Sequence, residues 1–376
     1  MALVAVTKER RVGETRVAAT PETTKKLIAA GFSVVIEAGA GAAASYPDAD
    51  YAEAGATIAP SAEAALSAAD VLLKVRAPSD AEVAALKPGC LVVGLLNPHQ
   101  ERAALDAIAA RGAAAFAMEF VPRITRAQVM DALSSQANLA GYRAVIEGAQ
   151  AYGKAMPMMM TAAGTIAPAR VFVMGAGVAG LQAIATARRM GAVVTATDVR
   201  PAAKEQVESL GAKFVAVEDE EFKPAETSAG YAREMSAEYQ AKQAALVAEH
   251  IKKQDIVVTT ALIPGRPAPR LVSAAHVASM RPGSVLVDLA VEQGGNVEGV
   301  RADEVAEIGG VKLVGYANLP GRIAADSSAL YARNLLAFAG LLLDKDGAFA
   351  PDFADEILAA SLVVRDGSIV HTALQS

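Results

Sequence analysis

The sequence has a single cysteine, Cys90, and only four histidines. One cysteine excludes an intrachain disulfide and a multi-cysteine metal site, and such low cysteine use is typical of a reducing compartment. The histidines are scattered, and no two have the i, i+4 spacing that places two ligands on one face of a helix. These scarcities predict a cytoplasmic protein that binds no metal ion.

Long apolar runs are missing as well, although 53% of the residues are hydrophobic. The two longest candidates, residues 335–343 and 156–169, are well short of the roughly 20 apolar residues that a membrane-spanning helix needs. No apolar segment follows a basic start, as a secretion signal would require. We therefore expect a soluble chain that is not secreted.

A concentration of positive charge is also absent. The net charge is −6, and the sequence contains neither a cluster of lysines and arginines nor a strip of aromatic residues. Proteins that bind nucleic acids need a basic surface to neutralise the phosphates. The composition therefore predicts no nucleic-acid partner.

What the sequence does have is an alternation of short apolar runs with alanine-rich helical patterns in its first third. The runs interpreted as strands are Leu3–Val6, Ser33–Glu37 and residues 71–75, 91–96 and 114–118. Thr20 followed by Pro21 predicts a capped helix that ends near Gly31. Strands that alternate with helices indicate parallel βαβ units.

A second block of the same kind follows residues 126–154, which are predicted to form one helix. The six runs interpreted as strands in this block are Arg170–Met174, Val193–Thr197 and residues 213–217, 256–260, 284–288 and 312–315. Six strands suit one complete nucleotide-binding sheet. The charged stretch 218–241 is interpreted as a mobile loop, because it is long for a connection inside such a sheet.

After this block, residues 327–344 have a helical pattern, and residues 361–371 have the pattern of a hairpin around Asp366 and Gly367. The tail is expected to return to the first domain. The resulting prediction is an α/β protein with two Rossmann-like domains and parallel sheets. The first domain is residues 1–135 plus 328–376, and the second, residues 136–327, carries a dinucleotide-binding fingerprint.

The fingerprint is Gly-x-Gly-x-x-Gly at Gly175, Gly177 and Gly180, between a predicted strand and a predicted helix. In this context Gly175 permits a tight turn, Gly177 lets the backbone approach a pyrophosphate, and Gly180 allows the helix to pack closely. The amides at the start of the helix, which includes Val178 and Ala179, would face the phosphate charge. Strand, glycines and helix in this order predict a dinucleotide site, whereas the glycines alone would be a weak signal.

A carboxylate that could bind a ribose follows the fingerprint. Asp198 ends the next predicted strand, 18 residues after Gly180, which is close to the roughly 20 expected for the residue that binds the ribose hydroxyls. Asp198 favours NAD(H) because it would repel a 2′-phosphate, whereas Arg200, beyond Val199, could accommodate NADP(H). Residues 259–265 would lie at the same edge of the sheet and are either a cofactor contact or an ordinary connection.

Further segments, spread over nearly the whole chain, form a specific set. They are residues 8–10 (Lys-Glu-Arg), 14–18 (Glu-Thr-Arg-Val-Ala), 122–128 (Pro-Arg-Ile-Thr-Arg-Ala-Gln) through Asp131, 134–143 (Ser-Ser-Gln-Ala-Asn-Leu-Ala-Gly-Tyr-Arg), 158–165, 204–211, Gly230 with Tyr231, and 287–295. Together they resemble the NAD(H)-binding component of proton-translocating nicotinamide nucleotide transhydrogenases, with the alanine dehydrogenases as neighbours.

The resemblance implies that Arg123, Gln128, Asp131 and Ser134 form the loop that holds the nicotinamide end of NAD(H). The chemistry agrees, because a glutamine and a serine can satisfy the carboxamide and ribose groups, while an Arg–Asp pair fixes the loop. The spacing of three between the last three residues leaves an alternative open, the polar side of a helix.

The resemblance also implies further contacts with the cofactor. Tyr231, preceded by Gly230, would be the tip of a mobile loop that closes on the nucleotide. Gln243 and Leu262 are further implied contacts, beside the segment from Asp198 to Arg200 that includes Val199. Without the resemblance, Tyr231 is simply an aromatic residue on the solvent side.

The match to an amino-acid dehydrogenase is incomplete. Such an enzyme binds a carboxylate and moves a proton, so it needs cations and an acid/base in its cleft. Arg16 and Lys74 match its substrate-binding positions, with structural ion pairing as the alternative. Where that family has a histidine this chain has Leu96 and its neighbours, with His99 displaced, and Glu292 stands at the position of the family's aspartate.

Hydride transfer between two nicotinamide rings moves no proton at the reacting carbons, so a well-positioned ring suffices without a base. We therefore expect NAD(H) bound here to exchange hydride with NADP(H) on a partner subunit, coupled to proton translocation by a transmembrane component. Because the chain stops at Ser376 without a hydrophobic segment, we expect the partners to be separate chains. The expected assembly is a homodimer, peripheral on the cytoplasmic face of the inner membrane. A soluble enzyme like alanine dehydrogenase and an NAD-binding regulatory module are the alternatives.

Overall fold

The computed structural model describes residues 1–217, 236–263 and 265–375. The chain divides into two compact units, of which the first combines Met1–Gln136 with Pro320–Ser376 and the second is Ala137–Leu319. The first crossing lies one residue after the limit expected from the sequence, 135/136. The second crossing lies eight residues before the expected 327/328, because the helix that contains Ser327 follows a 3-10 turn, Pro320–Ile323, that already belongs to the first unit.

Strands and helices alternate along the described chain. The strands are β1 (Leu3–Val6), β2 (Ser33–Glu37), β3 (Thr57–Ala59), β4 (Val71–Leu73), β5 (Leu91–Gly94), β6 (Ala114–Ala117), β7 (Met159–Thr161), β8 (Gly164–Ile166), β9 (Arg170–Met174), β10 (Val193–Thr197), β11 (Lys213–Phe214), β12 (Ile256–Thr259), β13 (Val285–Asp288), β14 (Val305–Ile308), β15 (Val311–Val314), β16 (Leu362–Arg365) and β17 (Ser368–Ile369). The helices are α1 (Pro21–Ala29), α2 (Asp48–Glu53), α3 (Ala62–Leu66), α4 (Asp80–Ala85), α5 (Arg102–Ala110), α6 (Ala132–Tyr152), α7 (Val178–Arg189), α8 (Ala203–Ser209), α9 (Ala237–Ile251), α10 (Ala274–Ser279), α11 (Ala324–Ala339) and α12 (Glu356–Ser361).

The sheet of the first unit has the strand order β17-β16-β6-β5-β4-β1-β2-β3. The six strands from β6 to β3 are parallel, and β16 pairs antiparallel with β6. Successive side chains of β1 enter different cores, since Val4 and Val6 pack with α1 and α11 while Ala5 packs with α3 and α5. This period of two buries the sheet between two layers of helices.

The second unit has the order β11-β10-β9-β12-β13-β15-β14, in which only the described pair β14–β15 is antiparallel. Val171 and Val173 of β9 pack with α6 and α7, whereas Phe172 and Met174 pack with residues of α9 and α10. Parallel strands bring their carboxyl ends to one edge, which is where such sheets bind ligands. The predicted fold class, two Rossmann-like domains with parallel-dominated sheets, is confirmed.

Local expectations were met where apolar residues are buried. Thr20 caps α1 with its side chain, and Pro21 is the first helical residue. Strands β3 and β14 were missed, because both lie at the edge of a sheet and leave most of their side chains partly or fully exposed. The exposed hairpin β7–β8 was missed for the same reason.

The predicted helix over residues 126–154 is two elements in the structure. A 3-10 helix covers Thr125–Met130, and α6 begins at Ala132. Asp131 separates them because its carboxylate accepts the backbone amide of Ser134 at 2.8 Å, as a residue that caps a helix start does. The alternative in which Gln128, Asp131 and Ser134 share one side of a helix is therefore wrong.

No helix within the described ranges combines the length and the apolar character that crossing a bilayer requires. Of the stretch 218–241 that was interpreted as a mobile loop, residues 218–235 lie outside the described residues, and the remainder includes the start of α9 at Ala237.

Candidate functional site

The glycine-rich turn lies at the carboxyl edge of the second unit, between β9 and α7. Gly175 has φ +105°, a conformation that favours glycine. A Cβ on Gly180 would lie 1.8 Å from the carbonyl oxygen of Gly175, so only glycine permits this approach of helix to strand. A Cβ on Gly177 would meet nothing within 4 Å, and Gly177 and Val178 are exposed while Ala179 is partly buried. The start of α7 therefore offers free backbone space and amides to an anion.

The connection after β12 supports this turn from the adjacent strand. The hydroxyl of Thr260 donates to the carbonyl oxygen of Gly175 at 3.1 Å. The same hydroxyl oxygen would lie 2.5 Å from a Cβ on Gly175, so the contact depends on glycine at that position. Nothing in the sequence alone pointed to Thr260, because the contact joins residues that are 85 positions apart.

Asp198 lies directly after β10, beside the turn. One carboxylate oxygen accepts the amide of Ala176 at 2.7 Å, and the other accepts the amide of Arg200 at 2.9 Å. The Arg200 side chain adds a two-pronged ion pair, with Nε and Nη2 at 2.9 and 3.0 Å from the carboxylate oxygens. The Asp198 side chain is only 7% exposed as a result.

Two further residues implied as cofactor contacts flank Asp198. Val199 is 59% exposed at the end of β10. The Gln243 amide group accepts the amide of Val217 at 2.9 Å and donates to the hydroxyl of Thr197 at 3.1 Å. Gln243 thus ties the ends of two neighbouring strands next to Asp198. Gly230 and Tyr231 lie outside the described residues.

Leu262 follows β12 and is 48% exposed, as an apolar side chain available to a ligand would be. The segment 259–265 that was left open between a cofactor contact and a connection thus lies at the edge of the sheet that carries the glycine turn. The buried residues that hold this segment in place were not found from the sequence.

In the first unit, the loop implied to hold a nicotinamide has two exposed and two partly buried members. Arg123 and Gln128 are exposed, whereas Asp131 and Ser134 are partly buried. The Ser134 hydroxyl donates to the second carboxylate oxygen of Asp131 at 2.6 Å. The expected Arg–Asp pair is wrong, since none of the ion pairs between described residues joins Arg123 to Asp131, whose carboxylate is engaged by the start of α6.

Lys74 is fully buried at the end of β4. Its ammonium group lies 3.0 Å from Glu82 and 3.3 Å from Glu9. Burial raises the pKa of Glu9, and the attraction of Lys74 opposes this shift only in part. Lys74 therefore belongs to a desolvated structural cluster, which supports ion pairing as its role.

Arg16 is 3% exposed and is matched in the same way. Its guanidinium donates twice to Glu14, with both contacts at 2.7 Å, and once to the amide oxygen of Gln136 at 2.8 Å. Burial opposes ionisation of Glu14, but Arg16 and Arg76 bring its pKa down to about 2. The charge of Arg16 is thus balanced inside the first unit.

The carboxyl end of β5 carries no imidazole. Leu96 is fully buried, and its amide donates to Glu119 at 3.2 Å. Burial raises the pKa of Glu119 to about 7, although the amide of Asn97 also donates to it at 2.6 Å. His99 is exposed and contacts the edge of Phe120. Glu292 is an exposed residue of a 3-10 turn in the second unit.

The site residues of the second unit fit a dinucleotide on structural grounds. The turn leaves room at Gly177, presents the start of α7 and has a carboxylate, Asp198, held at its side. Among the described residues, no group of three or more histidine, cysteine or acidic side chains could hold a metal ion. Two sheets dominated by parallel strands and such a turn define a Rossmann-like dinucleotide-binding protein.

Comparison with known families agrees. The model of the alanine dehydrogenase/PNT N-terminal domain matches residues 5–140, and that of the C-terminal domain of the same family matches residues 144–372. The chain belongs to the alanine dehydrogenase/PNT family. The resemblance derived from the sequence is therefore confirmed.

Within this family, transhydrogenase subunits are more similar to the chain than alanine dehydrogenases. The first of the chains that make up NAD(P) transhydrogenase subunit alpha in Rhodospirillum rubrum is 54% identical over 377 residues, which cover 99% of this chain and 98% of the relative. The crystal structure of a transhydrogenase from Sinorhizobium meliloti has a TM-score of 0.89 and 56% identity, over 98% of this chain and 100% of that one. Alanine dehydrogenase of Mycolicibacterium smegmatis is 31% identical over 381 residues, 99% of this chain and 95% of the relative.

The first prediction concerns Asp198. The substitution Asp198→Ala should raise the dissociation constant of NADH by about 5- to 150-fold, because hydrogen bonds of a charged group with the ribose contribute about 1–3 kcal/mol. Isothermal titration with NADH measures this change. Asp255→Ala is a matched control, because Asp255 pairs with Arg281 and with the amide of Arg170 at the opposite edge of the same sheet. An equal loss of NADH affinity in both variants would remove Asp198 from the site.

Proposed function

We propose that this chain is the NAD(H)-binding component of a proton-translocating transhydrogenase. The relatives named as transhydrogenase subunits support the proposal. The observation that carries it is the dinucleotide turn of the second unit with Asp198 anchored to Ala176, combined with a first unit whose sheet edge has no histidine at Leu96. Such a protein can bind and orient a nicotinamide cofactor but has no imidazole at that position to move a proton.

The roles of the residues follow from their chemistry. NAD(H), when bound, supplies or accepts the hydride. The start of α7 would neutralise the pyrophosphate, and Asp198 would accept the ribose hydroxyls. In binding, the ribose would have to share or displace the contacts of Arg200, since the carboxylate already accepts four donors.

The nicotinamide end is assigned to the loop of the first unit. Gln128 is exposed and can bind a carboxamide, while Ser134 is held by Asp131 in a fixed orientation. Arg123, also exposed, supplies a cation beside this loop. The task of these residues is to position a ring, and positioning alone can contribute several kcal/mol to a transfer between two bound reactants.

The proposal includes partners and a location. NADP(H) would be bound by a partner subunit, and a transmembrane subunit would couple the transfer to proton translocation. The chain would act as a homodimer on the cytoplasmic face of the membrane. The names of the relatives, which describe them as subunits, support the need for partners.

The decisive experiment mixes this chain with an NADP(H)-binding transhydrogenase component and follows reduction of an NADP⁺ analogue by NADH. We expect transfer only in the mixture. Oxidation of NADH by the chain alone with pyruvate and ammonia would instead identify an amino-acid dehydrogenase. Binding of NADH without transfer to any acceptor would identify a regulatory module.

The second prediction tests the loop of the first unit. The substitution Gln128→Asn shortens the side chain by one methylene, so the ring would be held about 1 Å from its place. Misplacement of this size is expected to slow hydride transfer in the mixture by up to about 100-fold. The dissociation constant of NADH should change less than about threefold, because the rest of the nucleotide keeps its contacts.

Gln100→Asn is the control for this variant, since Gln100 is an exposed glutamine of the same unit that contacts Asn97 outside the loop. Its transfer rate should equal that of the parent. If Gln128→Asn also transfers hydride at the parental rate, the assignment of the loop is wrong.

A further inference from the structure

A buried asparagine, Asn296, holds the connection that carries Leu262. Its side chain is fully buried in the second unit. The amide oxygen accepts the amide of Ala261 at 3.0 Å, and the amide nitrogen donates to the carbonyl oxygens of Ala261 at 2.9 Å and Pro269 at 2.8 Å. The polar side chain of Asn296 therefore bonds only to two residues of the connection between β12 and α10.

The backbone of Asn296 closes the same connection at its far end. Its carbonyl oxygen accepts the amides of Leu271 at 2.8 Å and Val272 at 3.0 Å. One residue thus bonds both the beginning and the end of a connection whose exposed members include Leu262 and Ile263, at 48% and 43% exposure. A connection pinned at both ends loses much of its conformational freedom before any ligand arrives.

Asn296 is itself held from below by Asp288, the last residue of β13. The buried Asp288 carboxylate accepts the amides of Ala290 at 2.8 Å and Val297 at 2.9 Å. Gly295 has φ +77°, and a Cβ there would lie 2.9 Å from the Asp288 carboxylate. The segment that presents Asn296 is therefore fixed to the sheet by a carboxylate that only a glycine lets it approach.

The pinned connection begins next to the glycine turn. Ala261, which Asn296 bonds twice, directly follows Thr260, whose hydroxyl donates to Gly175. A displacement of Ala261 would therefore act in two directions, on the glycine turn through Thr260 and on the exposed Leu262.

We propose that Asn296 is a positioning residue for NAD(H) binding, which fixes Ala261 and thereby holds Leu262 and Thr260 in place for the nucleotide. The inference rests on the proposed function, since it takes NAD(H) as the ligand. Asn296 touches no ligand in this role. It acts through the backbone of Ala261.

The test compares Asn296→Asp with Gln254→Ala. Asn296→Asp keeps the size of the side chain but loses both N–H donors and brings a carboxylate to two carbonyl oxygens. Gln254 is a buried amide at the amino end of β12, where it donates to the carbonyl oxygen of His250. Both variants remove a buried amide from the same strand region, but only the first lies at the edge with the glycine turn.

Three quantities are measured for parent and variants: the melting temperature, the dissociation constant of NADH, and the KM and kcat for NADH in the mixture with the NADP(H)-binding component. We expect both variants to melt at lower temperature. In Asn296→Asp the dissociation constant and the KM for NADH should rise by about tenfold, while kcat at saturating NADH and the KM for the NADP⁺ analogue stay near the parental values. In Gln254→Ala all kinetic and binding values should stay parental.

A drop in melting temperature with unchanged NADH affinity in Asn296→Asp would show a purely structural residue and overturn the inference. If that variant does not fold, Leu262→Ser provides the same decision at an exposed position, where parental affinity would overturn the inference. The proposed function fails separately, because the parent would then bind no NADH or transfer no hydride in the mixture. A parent that binds NADH without transfer leaves the affinity comparison decisive.

Discussion

The substitution Gly180→Ala is expected to cost the second unit about 1–3 kcal/mol of folding free energy, because overpacking at a closed contact has this effect. The added Cβ would lie 1.8 Å from the carbonyl oxygen of Gly175, a distance that forces α7 away from β9. That shift also moves the amides that would bind the pyrophosphate. The dissociation constant of NADH should therefore rise by roughly 10- to 100-fold or more. Urea unfolding and titration with NADH measure the two effects.

Two other glycines separate the causes. A Cβ on Gly177 meets nothing within 4 Å, so Gly177→Ala should keep the stability of the parent while it obstructs the approach of a pyrophosphate. Gly340 in the first unit also has open space, so Gly340→Ala should change neither quantity. NADH affinity that is unchanged in both Gly177→Ala and Gly180→Ala would show that this turn does not bind the nucleotide.

The second large effect is expected at Lys74. Lys74→Ala should lower the free energy of unfolding of the first unit by about 3–5 kcal/mol, the usual result of removing one partner from a buried ion pair. The variant leaves the buried carboxylates of Glu9 and Glu82 without the cation that lies 3.3 and 3.0 Å from them. Urea unfolding at pH 7 measures the loss. Lys26→Ala removes an exposed i, i+4 partner of Glu22 and should cost only about 0.3–0.5 kcal/mol.

The penalty at Lys74 has a predictable dependence on pH. In the parent, burial pushes the pKa of Glu82 upward, but Lys74 and hydrogen bonds from Thr7 and Ser79 bring it below its usual value. A lowered pKa stabilises the fold above pH 4.5, and this contribution is lost as the pH falls through the folded-state pKa. The raised pKa of Glu9 means that its buried charge is relieved in acid. The difference between parent and Lys74→Ala should therefore narrow as the pH falls below about 5. A difference that is constant from pH 7 to pH 4 would contradict the ion-pair explanation.

The parts predicted best from the sequence are those in which neighbouring residues decide the structure. Strand β9, Gly175, Gly177 and α7 follow one another along the chain, so their order alone indicates a dinucleotide turn. Thr20 and Pro21 start α1 through contacts within four residues. Strands with buried side chains were found because burial selects apolar residues, and the exposed edge strands β3 and β14 were missed because it does not.

Other predictions depended on contacts between distant residues, and these were incomplete or wrong. The break at Asp131 and the missing Arg123–Asp131 pair follow from the start of α6, whose amide competes for the same carboxylate. Arg16 and Lys74 could be read from sequence either as substrate ligands or as structural ions, and their buried partners Glu14, Glu9 and Glu82 favour the second role.

By itself the sequence determined that this protein has two Rossmann-like domains of one family and a nucleotide turn at Gly175–Gly180, because both are written in the order and spacing of adjacent residues. Only the tertiary structure decided how that turn is supported. Thr260, Asn296 and Asp288 meet around Ala261 although they belong to different strands and loops. Their roles come from hydrogen bonds between residues that a folded sheet brings together, and no local pattern records such contacts.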